Sequence, residues 1–300
     1  MRRTTALFIV AVVLVLTVMA SLRVEQQATF SWKTYGTLGW GRGRTEVGLI
    51  TSEDGHRFGP SDFFFDHGAL EVVDYANDRL VTLLPDGKTA LRRLPTATVA
   101  AAPAQGGLMS ASSVTQSVTF PSGRALAFPP PGKGVRRVAD LSAFGPEDLL
   151  LLVRFVPSGM ESALFLVSPK GYRALRGRVR SVAVDPDGGF AWSDGEVIHA
   201  PDGTIVGHSK GELVGMDRQG RIAVVSDPGT PSQEVAFYPA GGTVSVPDDG
   251  WAVLGETVRL LPDGQLLAAD ATPKGVIFRV GWPTITTHIR ISPLALFRGG

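Results

Sequence analysis

FGPSDFFFDHGALEVVDYANDRLVTLLPDG, from Phe58 to Gly87, decides the architecture of this chain. Two apolar runs are joined by the tight turn Asp66-His67-Gly68. A polar turn follows, then a third apolar run closed by Pro85-Asp86-Gly87. Short apolar runs separated by glycine-bearing turns predict an antiparallel strand meander, the unit of a β-propeller blade.

Fainter copies of the same hairpin recur downstream. They are read at Val118–Leu126, at Ala183–Phe190 and at Gly215–Ile222. Weaker units lie at Asp148–Phe155 with Ala163–Val167, and at Trp251–Gly264. Most steps between them match the length of one four-stranded blade. Pro-Asp-Gly recurs at 85–87, 186–188, 201–203 and 262–264. Proline presets φ for the first turn position, and glycine accepts the positive φ needed where strands reverse. The expected fold is therefore all-β, a propeller of six blades over 30–300, with five or seven as alternatives. The runs Val276–Val280 and Ile285–Ile291 are expected to close the ring with the strand around Trp32, removing an exposed sheet edge. The stretch 95–113, rich in Ala, Ser, Gly and Thr and without periodicity, reads as a flexible surface insert.

Composition narrows the function. The 300 residues carry a formal charge of +1, with 36 Gly, 21 Pro and 19% charged residues. Such balance speaks against a general nucleic-acid binder. The absence of cysteine removes disulfides, thiolate catalysis and Cys-based zinc sites. At the N-terminus, Arg2 and Arg3 precede the uncharged run Thr4–Leu22. Its 19 residues would span roughly 28 Å as a helix, enough to cross a thin bilayer. The basic residues favour a cytoplasmic N-terminus, 1–3, with everything after the anchor outside the cytoplasmic membrane. The alternative is a secreted protein cleaved after Val18-Met19-Ala20. Residues 23–29 read as a polar linker. The motif GWGRGR, Gly39–Arg44, lacks the Lys-Ser/Thr and the helix that a phosphate loop needs, and reads as a turn.

The run Phe58–Leu83 resembles an NHL repeat. It supplies that family's Phe58, Pro60, Asp66, Gly68, Val72, Val73, Asp74, Asn77, Arg79 and Leu80. It departs in placing Asp66 and Gly68 one residue closer than the pattern, and in having Asp78 where a histidine is usual. Only the Asp-x-x-Gly half carries over to Asp185–Gly188 and Asp217–Gly220. The resemblance implies a propeller; it implies no one activity, since propellers host many.

Two polar groups stand out as candidate sites. Asp74, Asn77 and Arg79 form either a ligand-contacting face or a turn cap with a salt bridge. Asp185, Asp187 and Asp194 could supply oxygen ligands to calcium, although Pro-Asp-Gly explains itself as a hairpin turn. His199 and His208 lie on either side of a Pro-Asp-Gly turn and could meet across a hairpin. Trp192 and Trp251 read as core, and Phe63–Phe65 places rings on both faces of one strand. No Gly-x-Ser-x-Gly elbow occurs. The leading expectation is a non-catalytic binding or scaffolding module for a protein or glycan partner in the cell envelope. It is tethered through the membrane helix and needs no cofactor. The second is a metal-dependent hydrolase or lactonase, its ion held by single residues of different blades. The third is a sensing ectodomain that signals through a partner helix.

Overall fold

The computed structural model describes residues 22–128, 135–145, 147–156, 162–185, 187–208, 210–239 and 242–291. The expected span 4–22 and the short N-terminus before it therefore lie outside the described residues, Leu22 excepted. No helix among the described residues is long and apolar enough to cross a membrane.

The chain enters through a long strand, β1 (Leu22–Trp40), then the short strands β2 (Glu46–Val47), β3 (Ile50–Thr51) and β4 (Arg57–Phe58). Five blades follow as four-stranded antiparallel sheets. The first is β5 (Asp62–Asp66), β6 (Ala69–Asp74), β7 (Arg79–Leu83) and β8 (Thr89–Arg93). The second is β9 (Thr98–Ala104), β10 (Gly107–Ser112), β11 (Ser117–Thr119) and β12 (Ala125–Ala127). The third is β13 (Val135–Ala143), β14 (Leu149–Val156), β15 (Ser162–Ser168) and β16 (Gly171–Gly177). The fourth is β17 (Ser181–Val184), β18 (Phe190–Ser193), β19 (Val197–His199) and β20 (Ile205–His208). The fifth is β21 (Glu212–Met216), β22 (Ile222–Ser226), β23 (Glu234–Tyr238) and β24 (Thr243–Ser245). The sixth is built from both ends of the chain: β25 (Val258–Leu260), β26 (Leu266–Thr272) and β27 (Gly275–Ile291), completed by β1 and β2.

Six apolar clusters hold the ring, one at each junction between neighbouring blades. Phe63 packs edge-on to Phe278 at 5.6 Å in the junction of the sixth and first blades. The adjacent Phe64 faces the other way, onto Ala101 and Leu108 of the second blade. This is the both-sided burial expected of three consecutive phenylalanines. Equivalent clusters join the second to the third, third to fourth, fourth to fifth and fifth to sixth blades. A blade buried on both faces loses the apolar–polar alternation of a half-exposed strand.

That loss hides the inner half of the second blade from sequence. Residues 95–113 are no surface insert: they supply β9 and β10, the two inner strands of the second blade. Ala101, Ala102, Met109 and Ala111 are fully enclosed. Inner strands converge on the ring axis, where small side chains fit. Alanine and serine carry little strand signal, and with both faces covered no period remains to be read. The hairpin Val118–Leu126 is accordingly the outer pair of that blade, not its inner one. The linker 23–29 likewise belongs to β1.

Ring closure follows the expected route. β1 runs antiparallel to β27 from Leu22 opposite Ile291 to Gly39 opposite Gly275, with Trp32 opposite Gly281. The register slips between Thr34 and Gly36, leaving Tyr35 as an extra residue. The Tyr35 hydroxyl donates to the carbonyl of Gly68 at 3.0 Å, and its ring packs against Phe65. The bulge thus turns one side chain of the sixth blade onto the first.

Gly275 opens the closing strand with φ +150°, and a Cβ there would lie 2.1 Å from the carbonyl oxygen of Leu38. Backbone cannot yield as a flexible side chain can. Gly275→Ala is expected to lower stability by about 1–3 kcal/mol, read as a drop in the urea unfolding midpoint. An unchanged midpoint would show that closure tolerates displacement of β1.

Candidate functional site

The first residues of the inner strands surround one end of the central channel, forming a cavity of about 410 Å³. Two tiers of charge line it. At the mouth, Arg154 and Arg180 each approach the Glu212 carboxylate no closer than 3.7 Å. All three side chains are partly open to solvent. Deeper lie Asp62, Asp140, Glu256 and Arg259. The last three also line a smaller cavity of about 160 Å³ further along the channel, so they form the floor between the two.

Arg259 organises the floor. Its Nη2 donates to Asp62 Oδ1 at 2.9 Å and to the Glu256 carboxylate. The bond to Asp62 ties the sixth blade to the first. Asp62 Oδ2 accepts the backbone N–H of Ala101 at 3.0 Å, which carries the link on to the second blade. Burial pushes the Asp62 carboxyl well above its ordinary value, and Arg259 only partly pulls it back. Burial opposes charge on Arg259, but Glu256 and Asp62 together more than offset it, so the guanidinium stays charged. Asp140 lacks such a partner. Burial, then repulsion from Glu256, raises its carboxyl to about 7, with Arg259 and a 3.3 Å hydrogen bond from Ser142 only partly opposing this. Two shielded atoms of the cavity lining, Arg259 Nε and Ser61 Oγ, have no hydrogen-bond partner.

The donor set does not fit a channel-centred divalent cation. A guanidinium sits on two of the carboxylates that would have to bind it. Among the described residues no group of three or more His, Asp or Glu side chains could hold a metal ion.

The sites expected from sequence lie elsewhere. Asp74, Asn77 and Arg79 do come together, as a clamp. Asp74 Oδ2 accepts from Arg79 Nε at 2.7 Å and from Asn77 Nδ2 at 2.8 Å, and its Oδ1 accepts from the N–H of Gly48. Arg79 donates further to the carbonyls of Arg42 and Glu46, and Asn77 to that of Gly41. The cluster is consumed in fastening the Gly41–Gly48 loop to the first blade, which is the turn-and-salt-bridge alternative. Asp185 and Asp187 sit in the turn before β18, and Asp194 in the turn after it. The four residues of β18 hold them about 13 Å apart, so they cannot share one ion. Asp185 Oδ1 accepts the N–H of Asp187, and Asp194 Oδ1 accepts those of Glu196 and Val197. His199 and His208 do not face each other: His208 pairs with Val197, while His199 stacks on Trp192 at 4.0 Å. Trp251 lies outside the strands, stacked on Trp40 with Arg57 over its ring.

No protein-family model matches the sequence, and neither does any curated protein. Similar solved structures exist. The calcium-binding protein regucalcin of Agrobacterium tumefaciens superposes with a TM-score of 0.53 at 16% identity, covering 88% of this chain and 97% of its own. A luciferin-regenerating enzyme gives 0.51 at 11%, covering 88% and 99%. A gluconolactonase of Xanthomonas campestris gives 0.51 at 14%, covering 85% and 90%. The chain is a six-bladed β-propeller. At such identities the likeness extends to the fold alone, and the chemistry rests on this chain's own residues.

Removing the guanidinium of Arg259 would leave the buried Asp62 and the partly exposed Glu256 without their partner. Arg259→Ala is expected to cost about 3–5 kcal/mol in chemical denaturation, and the double variant with Asp62→Asn to recover part of it. For Asp140 the folded value lies above that of the unfolded chain, so the fold favours the protonated acid. This contribution is complete below the unfolded value near pH 4 and is lost as pH rises through about 7. The melting temperature of the native protein should fall across that interval, and Asp140→Asn should flatten the fall. An identical slope in the variant would remove Asp140 as its source.

Proposed function

We propose that this propeller is a membrane-tethered, extracytoplasmic binding module that presents its channel mouth to a protein or glycan partner in the cell envelope. The observation that carries this reading is the state of the channel floor. Its Asp62 and Glu256 carboxylates are taken up by Arg259, which supports a rigid channel used for recognition and not for a resident ion. The rim charges of Arg154, Arg180 and Glu212 are loosely paired and partly open to solvent.

The strand arrangement supports an outward-facing mouth. The mouth lies where the inner strands begin. β27 runs parallel to the inner strand β25 and continues beyond it: Trp282–Ile291 pair only with Ser31–Leu22 of β1. This two-stranded ribbon, roughly 30 Å long, leaves the blade on the side where its inner strand ends. A membrane anchor in the run that precedes β1 would join the ribbon at its tip. The tether and the mouth then occupy opposite sides of the ring. The alternative of a secreted propeller, released by cleavage after Ala20, leaves the same mouth available.

A second reading has one observation in its favour. A carboxylic acid that titrates near neutrality in an enclosed cavity is a competent general acid or base, and Asp140 meets that description. A metal-independent hydrolase acting on lactones or esters would use it so. That reading requires turnover that survives EDTA and is lost in Asp140→Asn.

Three measurements test the proposal. The chain contains no cysteine, so Ser122→Cys, in the exposed turn between β11 and β12, reports topology cleanly. A membrane-impermeant maleimide should label it in intact cells, and labelling only after lysis would overturn the placement. Capture from detergent-solubilised membranes should recover a reproducible partner that Arg180→Glu releases; no partner, or one indifferent to that change, would sink the mouth as the binding face. EDTA and added calcium should leave the melting temperature of the detergent-solubilised protein unchanged, whereas a tightly held ion would shift it by several degrees.

A further inference from the structure

The charge tiers of the cavity differ in sign, and that difference describes a ligand. At the mouth, Arg154 and Arg180 share one acid, Glu212, at distances too long for hydrogen bonds between the charged groups. The rim is left with surplus positive charge. On the floor, Asp62, Glu256 and Asp140 share one guanidinium, that of Arg259, so negative charge is in surplus once any two of the three acids are ionised. Val99, Val138, Leu213 and Leu254 add apolar surface to the lining. A volume of about 410 Å³ lies in the range of small-molecule sites and is too small for a folded domain.

An anion is welcomed at the rim and repelled at the floor; a cation meets the reverse. Only a ligand with both charges satisfies both tiers, its negative end outward. A neutral sugar would leave each surplus uncompensated in a low-dielectric enclosure. Independently of the charges, the two unpartnered atoms of the lining mark bonds that the protein itself does not complete. Arg259 Nε is a donor, and Ser61 Oγ can donate or accept.

We propose that the cavity binds a zwitterionic amino acid or short peptide. The ammonium group lies toward Glu256 and Asp140, and the carboxylate toward Arg154 and Arg180. This rests on the reading of the channel mouth as the binding face, and it names the ligand class of that face.

The test is calorimetric titration of the full-length protein in detergent with a matched panel. It comprises the free amino acids, dialanine, N-acetyl-dialanine, dialanine amide, and neutral mono- and disaccharides. The expected result is binding by at least one zwitterion, weakened tenfold or more when either of its ends is blocked. Glu256→Gln should erase the preference for a free amine, and Arg180→Gln the preference for a free carboxylate. Because Glu256 also contacts Arg259, the melting temperature of each variant is recorded alongside, and Arg154→Gln provides a second rim variant distant from the floor. Binding that is indifferent to end-blocking, binding by singly charged or neutral compounds alone, or no binding across the panel would each overturn the dipolar assignment. The mouth reading is judged separately: if saccharides bind, or if membrane capture succeeds and Arg180→Glu abolishes it, the mouth remains the binding face while its ligand is not a zwitterion.

Discussion

Every blade of this molecule has two faces to bury and a sheet edge to protect, and both demands are met only if the ring closes. The pairing of β1 with β27 closes it. Without β1 the sixth blade would expose an unpaired edge along β27, and the clusters that join it to the first and fifth blades would lose Leu38, Phe30 and Trp32. The two ends of the chain therefore form the junction on which the remainder depends. The closure is long in sequence, so the loop-closure entropy is committed before its contacts form. This accounts for the density of reinforcement at that point: the Tyr35 bulge, the Trp40 indole donating to the carbonyl of Thr272, and the stacking of Trp40 on Trp251.

The polar devices reinforce the same junction. The Asp74–Asn77–Arg79 clamp holds the segment that leads from the closing strand into the first blade, and Arg259 spans the junction from inside the channel. Gly48 is part of the clamp, since a Cβ there would fall 2.4 Å from that of Ala76 and 2.9 Å from Asp74 Oδ1. A related device appears in the fifth blade, where buried Asp217 accepts from Arg221 Nε at 2.7 Å and the N–H of Arg218 reaches the carbonyl of Pro262 in the next blade. The conspicuous Asp and Arg residues of the hairpins are thus fasteners. Buried pairs of this kind fix geometry more than they add stability.

This division of labour decides what the sequence shows. Strand runs, Pro-Asp-Gly turns and the closing pair are local signals, and they led to the propeller and to the closure around Trp32. The inner pair of the second blade was hidden because its strands are rich in alanine and serine, which carry no periodicity when both faces are buried. The channel residues were hidden for a related reason. Asp62, Asp140 and Arg259 are charges set beside apolar neighbours on inner strands, far apart in sequence, and only the ring brings them together. The signal that could have found them was the cost itself: a lone charge in an inner strand has no cheap explanation. Asp62 before Phe63–Phe65, Asp140 between Ala139 and Leu141, and Arg259 between Val258 and Leu260 all meet that criterion.

The same reasoning separates the two uses of charge in this fold. A charge at a hairpin turn is inexpensive, because water or the backbone of the turn can satisfy it, so its presence carries little functional weight. A charge on an inner strand is expensive, and a ring can hold it only by pairing it across blades. Arg259 achieves this for Asp62 and Glu256, and the floor becomes a strut. Asp140 is left over, held near neutrality by burial and by Glu256, and the rim arginines are left with half the acid they need. A structure that needed only a closed ring had no physical reason to retain these leftovers. The imbalance at the two ends of one cavity is the feature on which the proposed recognition role rests.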